Sequence, residues 1–190
     1  VAHALFLESR LRDFVVETDA GPRRCVITGE GDRVEVECDM GAPRAGFVRR
    51  MLSFDGGSWE GTQVSMGNPH LVLFGAALAR ASEWGPVLER DPLFPNRTNV
   101  EFVQEQRGPE GVSYDVVVWE RGCGLTQACG TGACAVAVAA VLEGRRPAGE
   151  AVQVKLPGGW LKVRVEPDLS RVWMRGEAVR VFQGELWRVG

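Results

Sequence analysis

The chain has 190 residues, enough for one large domain or two small ones, and its 45% hydrophobic and 25% charged content is that of a soluble globular fold. The 22 basic and 25 acidic residues are interspersed and give a net charge of −3, with no basic stripe, so nucleic acid is not an expected partner. The longest apolar run, residues 133–142, is too short to span a bilayer, so no membrane association is expected.

Residues 1–11 read as a helix already under way, with no capping residue and no initiator Met before it, so the chain is expected to have lost its front. The apolar start lacks a basic lead and a cleavage site, and Glu8 follows at once, so it is not read as a signal peptide. Strands are expected at 14–18, 25–28 and 34–38, with turns at 19–22 and 29–32. Residues 41–61 carry no sustained period and read as an inter-domain connection with one short strand. Strands at 63–66 and 71–74 flank a turn holding Asn68, Pro69 and His70. Residues 76–90 read as a helix interrupted at Gly85-Pro86, followed by a strand at 99–103, a turn at 108–111 and a buried strand at 114–119. A helix apolar on every face is expected at 135–143, ending on Gly144. Strands follow at 152–156 and 161–165, joined by Pro157-Gly158-Gly159, and further strands at 172–174, 178–182 and 186–189.

These elements repeat. An offset of 138 residues carries Gly21 onto Gly159 and, without a gap, Val16 onto Val154, Cys25 onto Val163, Ile27 onto Val165, Val34 onto Val172 and Val36 onto Met174. Leu7-Glu8 falls on Leu142-Glu143 at a slightly different offset, giving two copies of a helix followed by three strands. The second copy is preceded by a Cys/Gly loop. The equivalent loop of the first copy is expected to end about where the chain begins.

The chemistry concentrates around that loop. Cys25, Cys38, Cys123, Cys129 and Cys134 are odd in number and lack Cys-x-x-Cys spacing, which argues against a disulfide framework and for a reducing, cytoplasmic setting. With only His3 and His70 beside them, no metal site is expected. Cys129 stands immediately before the helix, where the positive end of the dipole is expected to favour thiolate. Gly130 and Thr131 offer backbone N–H groups to a carboxylate or phosphate. A small buried thiol at a tight turn is the plainer alternative for Cys129. Glu120-Arg121 ends a strand and reads either as a surface pair or as a grip on a zwitterion, Glu120 on an amine and Arg121 on a carboxylate. Asn68 reads as a turn residue, His70 as a proton carrier or polar contact, and Asn99 as a cap. Cys129 and Cys134 have the wrong spacing for a thiol–disulfide oxidoreductase.

The stretch Glu120-Arg121-Gly122-Cys123-Gly124-Leu125-Thr126-Gln127-Ala128-Cys129-Gly130-Thr131-Gly132-Ala133-Cys134-Ala135, together with Met66-Gly67-Asn68-Pro69-His70, resembles the diaminopimelate epimerase family. Lesser matches are Asn99 and Leu156-Pro157-Gly158-Gly159. The resemblance implies an α/β (α+β) fold of two pseudo-symmetric domains, each wrapping antiparallel strands around a central buried helix, with the site in the cleft between them. Residues 1–41 would be the remainder of the first domain, 42–178 the second, and 179–190 terminal strands returning to the first. It implies a homodimer formed around Phe182 and epimerisation of LL-2,6-diaminoheptanedioate to the meso form without pyridoxal phosphate or metal. Cys129 would be one of two acid/base cysteines, the other lying before Val1, and His70 and Glu120 would support catalysis. Gly130 and Thr131 would bind the reacting carboxylate, and Asn68, Asn99, Glu120 and Arg121 would hold the substrate's polar groups. A racemase for another small acid such as proline, or an inactive carboxylate-binding module, is the alternative.

Overall fold

The computed structural model describes residues 1–18, 21–109 and 111–184. Helix α1 (Ala2–Ser9) precedes β1 (Asp13–Val16), β2 (Arg23–Glu30) and β3 (Arg33–Asp39). Then come β4 (Arg44–Ala45), β5 (Arg50–Phe54), β6 (Gly57–Ser65) and β7 (Pro69–Phe74), a 3-10 turn at Leu78–Arg80 and α2 (Ala81–Glu89). β8 (Asn99–Gly108), β9 (Gly111–Glu120) and β10 (Gly124–Thr126) lead to α3 (Gly130–Leu142). β11 (Ala151–Leu156), β12 (Gly159–Val165) and β13 (Val172–Val179) end the described elements. The expected strand at 186–189 lies outside the described residues.

Four expectations are corrected. Residues 41–61 are not a connection: they form β4, β5 and the start of β6, because Asp55 and Gly56 take φ of 51° and 68° and close a tight hairpin. Gly85-Pro86 does not interrupt α2, which runs through Pro86 to Glu89 at the cost of the one helical bond that Pro86 cannot donate to Ser82 O. Helix α3 starts at Gly130 rather than 135, and the short β10 before it was not expected. β13 stops at Val179, so the strand expected at 178–182 is not formed.

The thirteen strands form one hydrogen-bonded path, β1-β2-β3-β13-β12-β11-β9-β8-β7-β6-β4, with β10 on β9 and β5 on β6. Every pair is antiparallel except β7 with β8 and β9 with β11. The second-half strands wrap α3, which packs against β6, β7, β8, β11, β12 and β13. Its residues 132–140 are all buried. Valine costs a helix up to about 0.7 kcal/mol against alanine, but burying Val136 and Val138 contributes about 1.5–3 kcal/mol each, so packing decides. Gly144, with φ of 70°, ends the helix in the left-handed conformation that other residues resist. On the opposite face of the sheet, Trp84 and Leu88 of α2 pack on Leu71, Leu73, Val100 and Phe102. The central strands β7 and β8 are therefore buried on both faces.

The repeat is real in three dimensions. β1 pairs β2 through Phe14–Cys25 and Val16–Arg23, and β11 pairs β12 through the equivalent Val152–Val163 and Val154–Leu161. In the next hairpin the copies differ by two residues: Ile27 faces Val36, whereas Val165 faces Val172. A slip of two keeps each side chain on its own face. The equivalent strands β3 and β13 then pair with each other antiparallel, Cys38 facing Met174 and Glu37 facing Arg175 near the middle. This seam joins the two copies about a local pseudo-dyad.

α2 reaches the sheet through Gly85, where an added Cβ would lie 2.4 Å from Trp119 Cγ. The Gly85→Ala variant is expected to lose about 1–3 kcal/mol of stability from this overpacking, read as a lower urea midpoint. An unchanged midpoint would mean that Trp119 has room to move.

Candidate active site

The site is built on the start of α3. Cys129 is the N-cap, extended at φ −138° and ψ 101°, and the first helical hydrogen bond runs from Ala133 N–H to Cys129 O at 3.0 Å. The N–H groups of Gly130, Thr131 and Gly132 are therefore left without acceptors inside the helix. A Cβ on Gly132 would meet Glu101 Oε1 at 3.0 Å and Cys129 Sγ at 3.2 Å, and one on Gly130 would meet Met174 Sδ at 3.1 Å. Thiol and carboxylate thus rest directly on the helix backbone. The loop before Cys129 is held by the Pro157-Gly158-Gly159 turn: Gly158 N–H donates to Gln127 O at 2.7 Å, and a Cβ on Gly158 would lie 2.9 Å from that oxygen.

A polar chain runs inward from the thiol. Cys129 Sγ lies 3.6 Å from Thr131 Oγ1, which accepts from Asn68 Nδ2 at 3.3 Å. Asn68 Oδ1 lies 3.1 Å from His70 Nε2, and His70 Nδ1 lies 2.6 Å from Glu101 Oε1. Asn68 Oδ1 can only accept, so His70 Nε2 donates to it. One further proton lies between Nδ1 and Oε1, and the pair is neutral overall on whichever atom that proton sits. Both side chains are fully buried. Burial pushes the Glu101 carboxyl up, with His70 opposing.

A second set of bonds fixes the turn after β9. Asn99 Oδ1 accepts from Arg121 N–H at 2.9 Å while its Nδ2 donates to Pro69 O at 2.9 Å, so one amide ties together the two loops. The Arg121 guanidinium donates to Asn96 O at 2.9 Å, and Glu120 Oε1 accepts from Thr126 Oγ1 at 2.6 Å. Glu89, the last residue of α2, accepts from Trp119 Nε1 at 2.8 Å and Gly122 N–H at 3.2 Å, and these bonds hold its carboxyl below the usual range despite burial.

Of the residues singled out from sequence, Asn68, His70, Cys129 and Thr131 meet in one chain with Gly130 at its helical end, and Asn99 and Arg121 meet in another. Glu120 contacts Thr126 rather than either chain. Sequence reasoning missed Glu101, Glu89 and Gly132. Glu101 carried a signal, a carboxylate between Val100 and Phe102 in an apolar strand.

The expectation that the helix start favours thiolate at Cys129 is also corrected. Burial raises this thiol to about 11, with Glu101 and Glu120 adding to the rise and Thr131 and the Gly132 N–H opposing it. At neutral pH Cys129 is a protonated thiol, fit to donate a proton.

The sequence profile of the family described as diaminopimelate epimerase matches residues 62–181. The diaminopimelate epimerase of Desulforudis audaxviator is 50% identical over 184 residues, covering 90% of this chain and 64% of its own length. That of Moorella thermoacetica is 44% identical over 185 residues, with the same 90% and 64% coverage. The match to the Synechococcus strain JA-3-3Ab enzyme is 46% over 155 residues, 79% of this chain and 53% of that one. The chain thus spans less than two thirds of the length of these relatives. A solved hydroxyproline epimerase from Agrobacterium vitis shares the fold at a TM-score of 0.67 and 16% identity, over 93% of this chain and 60% of that one. A Bacillus anthracis phenazine biosynthesis protein of the PhzF family shares it at 0.66 and 13%, over 93% and 69%.

Two outcomes are expected. Iodoacetamide at neutral pH should label exposed Cys123 before Cys129, whose rate should climb about tenfold per pH unit until pH approaches about 11. A rate at Cys129 that levels off below pH 8 would contradict the raised thiol. Glu101→Ala, which strips His70 of its buried partner, should cost about 3–5 kcal/mol in urea unfolding. A loss under about 1 kcal/mol would show that the pair is not coupled.

Proposed function

Since the chain belongs to the diaminopimelate epimerase family, we propose that it acts in the epimerisation of LL-2,6-diaminoheptanedioate to the meso form, with Cys129 as one of two acid/base thiols. The observation that carries this reading is a buried thiol at the N-cap of an apolar helix, among backbone N–H groups with no helical acceptor.

An amino-acid α-proton is a weak acid, and its removal puts negative charge onto the carboxylate. Fixed N–H dipoles at Gly130 and Thr131 stabilise that charge without reorganising as it develops. Inversion takes the proton from one face with a thiolate and returns one to the other face from a thiol. With its thiol protonated at neutral pH, Cys129 suits the donor in the direction that starts from the opposite face. His70 and Glu120 support catalysis, His70 through the Asn68–Thr131 chain that ends at the thiol. Asn68, Asn99, Glu120 and Arg121 hold the substrate's polar groups, including its distal amino-acid end.

In this reading residues 1–41 belong to a first domain, 42–178 form a second, and 179–190 return to the first. The protein works in the cytoplasm as a homodimer that closes around Phe182. The exposure of Val181 and Phe182, 82% each, supports a partner there, and no helix among the described residues is long and apolar enough to cross a membrane.

The test is wash-in of solvent deuterium at the α-carbon of diaminopimelate, followed by mass spectrometry. Cys129→Ala is expected to lower the exchange rate by about 10²–10⁴-fold. Exchange at an unchanged rate in that variant would sink the assignment. Turnover of proline isomers instead of diaminopimelate would move the substrate, and calorimetric binding without any exchange would leave a carboxylate-binding module.

A further inference from the structure

In the first copy of the repeat, Cys25 and Cys38 face each other directly across β2 and β3, their sulfurs 2.8 Å apart. Both are free thiols, and among the described residues they are the one thiol pair this close. The backbone explains the approach. Ile27 N–H bonds Arg12 O on the β1 side, so Cys25, two residues away, also turns its backbone groups toward β1. Met40 N–H bonds Val172 O, so Cys38 likewise turns its own toward β13. Cys25 and Cys38 therefore form a non-hydrogen-bonded pair of the antiparallel ladder. Such pairs place their Cα atoms about 4.5 Å apart and their side chains close together. That separation lies inside the window of about 4.4–6.8 Å that a disulfide spans.

We propose that Cys25 and Cys38 are a reversible modification site, closing to a cross-strand disulfide on exchange with a low-molecular-weight disulfide. This holds independently of the reaction proposed above. Both residues line a cavity of about 510 Å³, together with Met66, Thr131 and Met174, which gives a small reagent a route to them. One of the two, as thiolate, attacks a sulfur of the reagent RSSR and forms a mixed disulfide, releasing RS⁻. The other thiolate then attacks the protein sulfur of that mixed disulfide, the Sγ–Sγ bond forms and a second RS⁻ leaves. The two cysteine protons end on the two RS⁻ ions, so two protein thiols are oxidised and one RSSR is reduced to two RSH. The bond would fasten β2 to β3, between the α1 core around Phe6 and the β3–β13 seam.

The sequence supplies a clean readout, because Arg24, Arg33 and Arg44 bracket the two cysteines. The 190-residue chain is treated with oxidised glutathione, alkylated under denaturing conditions and digested with trypsin without reductant. Peptides 25–33 and 34–44 are expected to run as one species, two hydrogens lighter than their sum, that separates on reduction. The oxidised protein is expected to melt roughly 5–10 °C higher than the reduced one, a shift that Cys25→Ser and Cys38→Ser abolish. Full alkylation of both thiols after oxidation would overturn the proposal, as would linkage of either to Cys123, Cys129 or Cys134, or glutathione retained on either.

Discussion

The site depends on how closely a thiol and a carboxylate can approach the backbone of α3 at Gly132. No side chain fits there, since a single added carbon would press on both groups. The closeness is sustained because the helix is enclosed: a stretch of Ala, Gly, Cys and Val presents a thin cylinder that strands can surround on every side. A bulkier helix would push β8 outward and carry Glu101 away with it. Packing and electrostatics are therefore one constraint. The same small residues that let the sheet close around the helix bring a buried carboxylate against its positive end, where the dipole offsets part of the cost of burying it.

The buried His70–Glu101 pair follows from the parallel join of β7 and β8. Parallel strands covered on both faces read as apolar runs, and the paired residues 70–74 and 99–103 do so except at His70, Asn99 and Glu101. Two isolated charges there would be ruinous. A pair that shares one proton and closes on Asn68 is neutral as a unit, and each protonation arrangement keeps its hydrogen bonds. From Asn68 the chain passes through Thr131 to the cysteine. The chain closes on itself, because Glu101 Oε1 and Cys129 Sγ both lie against Gly132.

Much of the fold could be read from the residues because it is written twice. The offset that aligned Val16 with Val154 and Cys25 with Val163 aligned real strands with matching register. Reading failed where chemistry is local and unperiodic. The Asp55-Gly56 turn lay inside a stretch of mixed composition, although that dipeptide alone signals a hairpin. The start of α3 was placed late because glycines oppose helix propensity, and here they are kept for contact rather than conformation. Cys129, Asn68, His70 and Arg121 were legible because they stand in the two motifs that carry the family resemblance, residues 120–135 and 66–70. Glu89 was hidden, since nothing in a helix end says that it will reach a turn more than thirty residues on. The direction of the Cys129 shift is not legible in the sequence because burial depth belongs to tertiary structure, and here it outweighs the hydrogen bonds from Thr131 and the Gly132 N–H.

The two-residue difference between the paired hairpins carries a lesson about change. β2 and β3 join through a two-residue turn, whereas the matching strands β12 and β13 join through a longer loop, and yet the same faces are inside. A sheet with one committed face counts in pairs. Length gained or lost on the two sides of such a hairpin is tolerated only when the slip it produces is even, because an odd slip turns a strand inside out. Here the rule binds twice over, since β3 and β13 are also each other's neighbours and an inverted strand would present the wrong face to both copies. The seam thus works as a parity lock, leaving each copy free to vary its turn while the pleat of one checks that of the other.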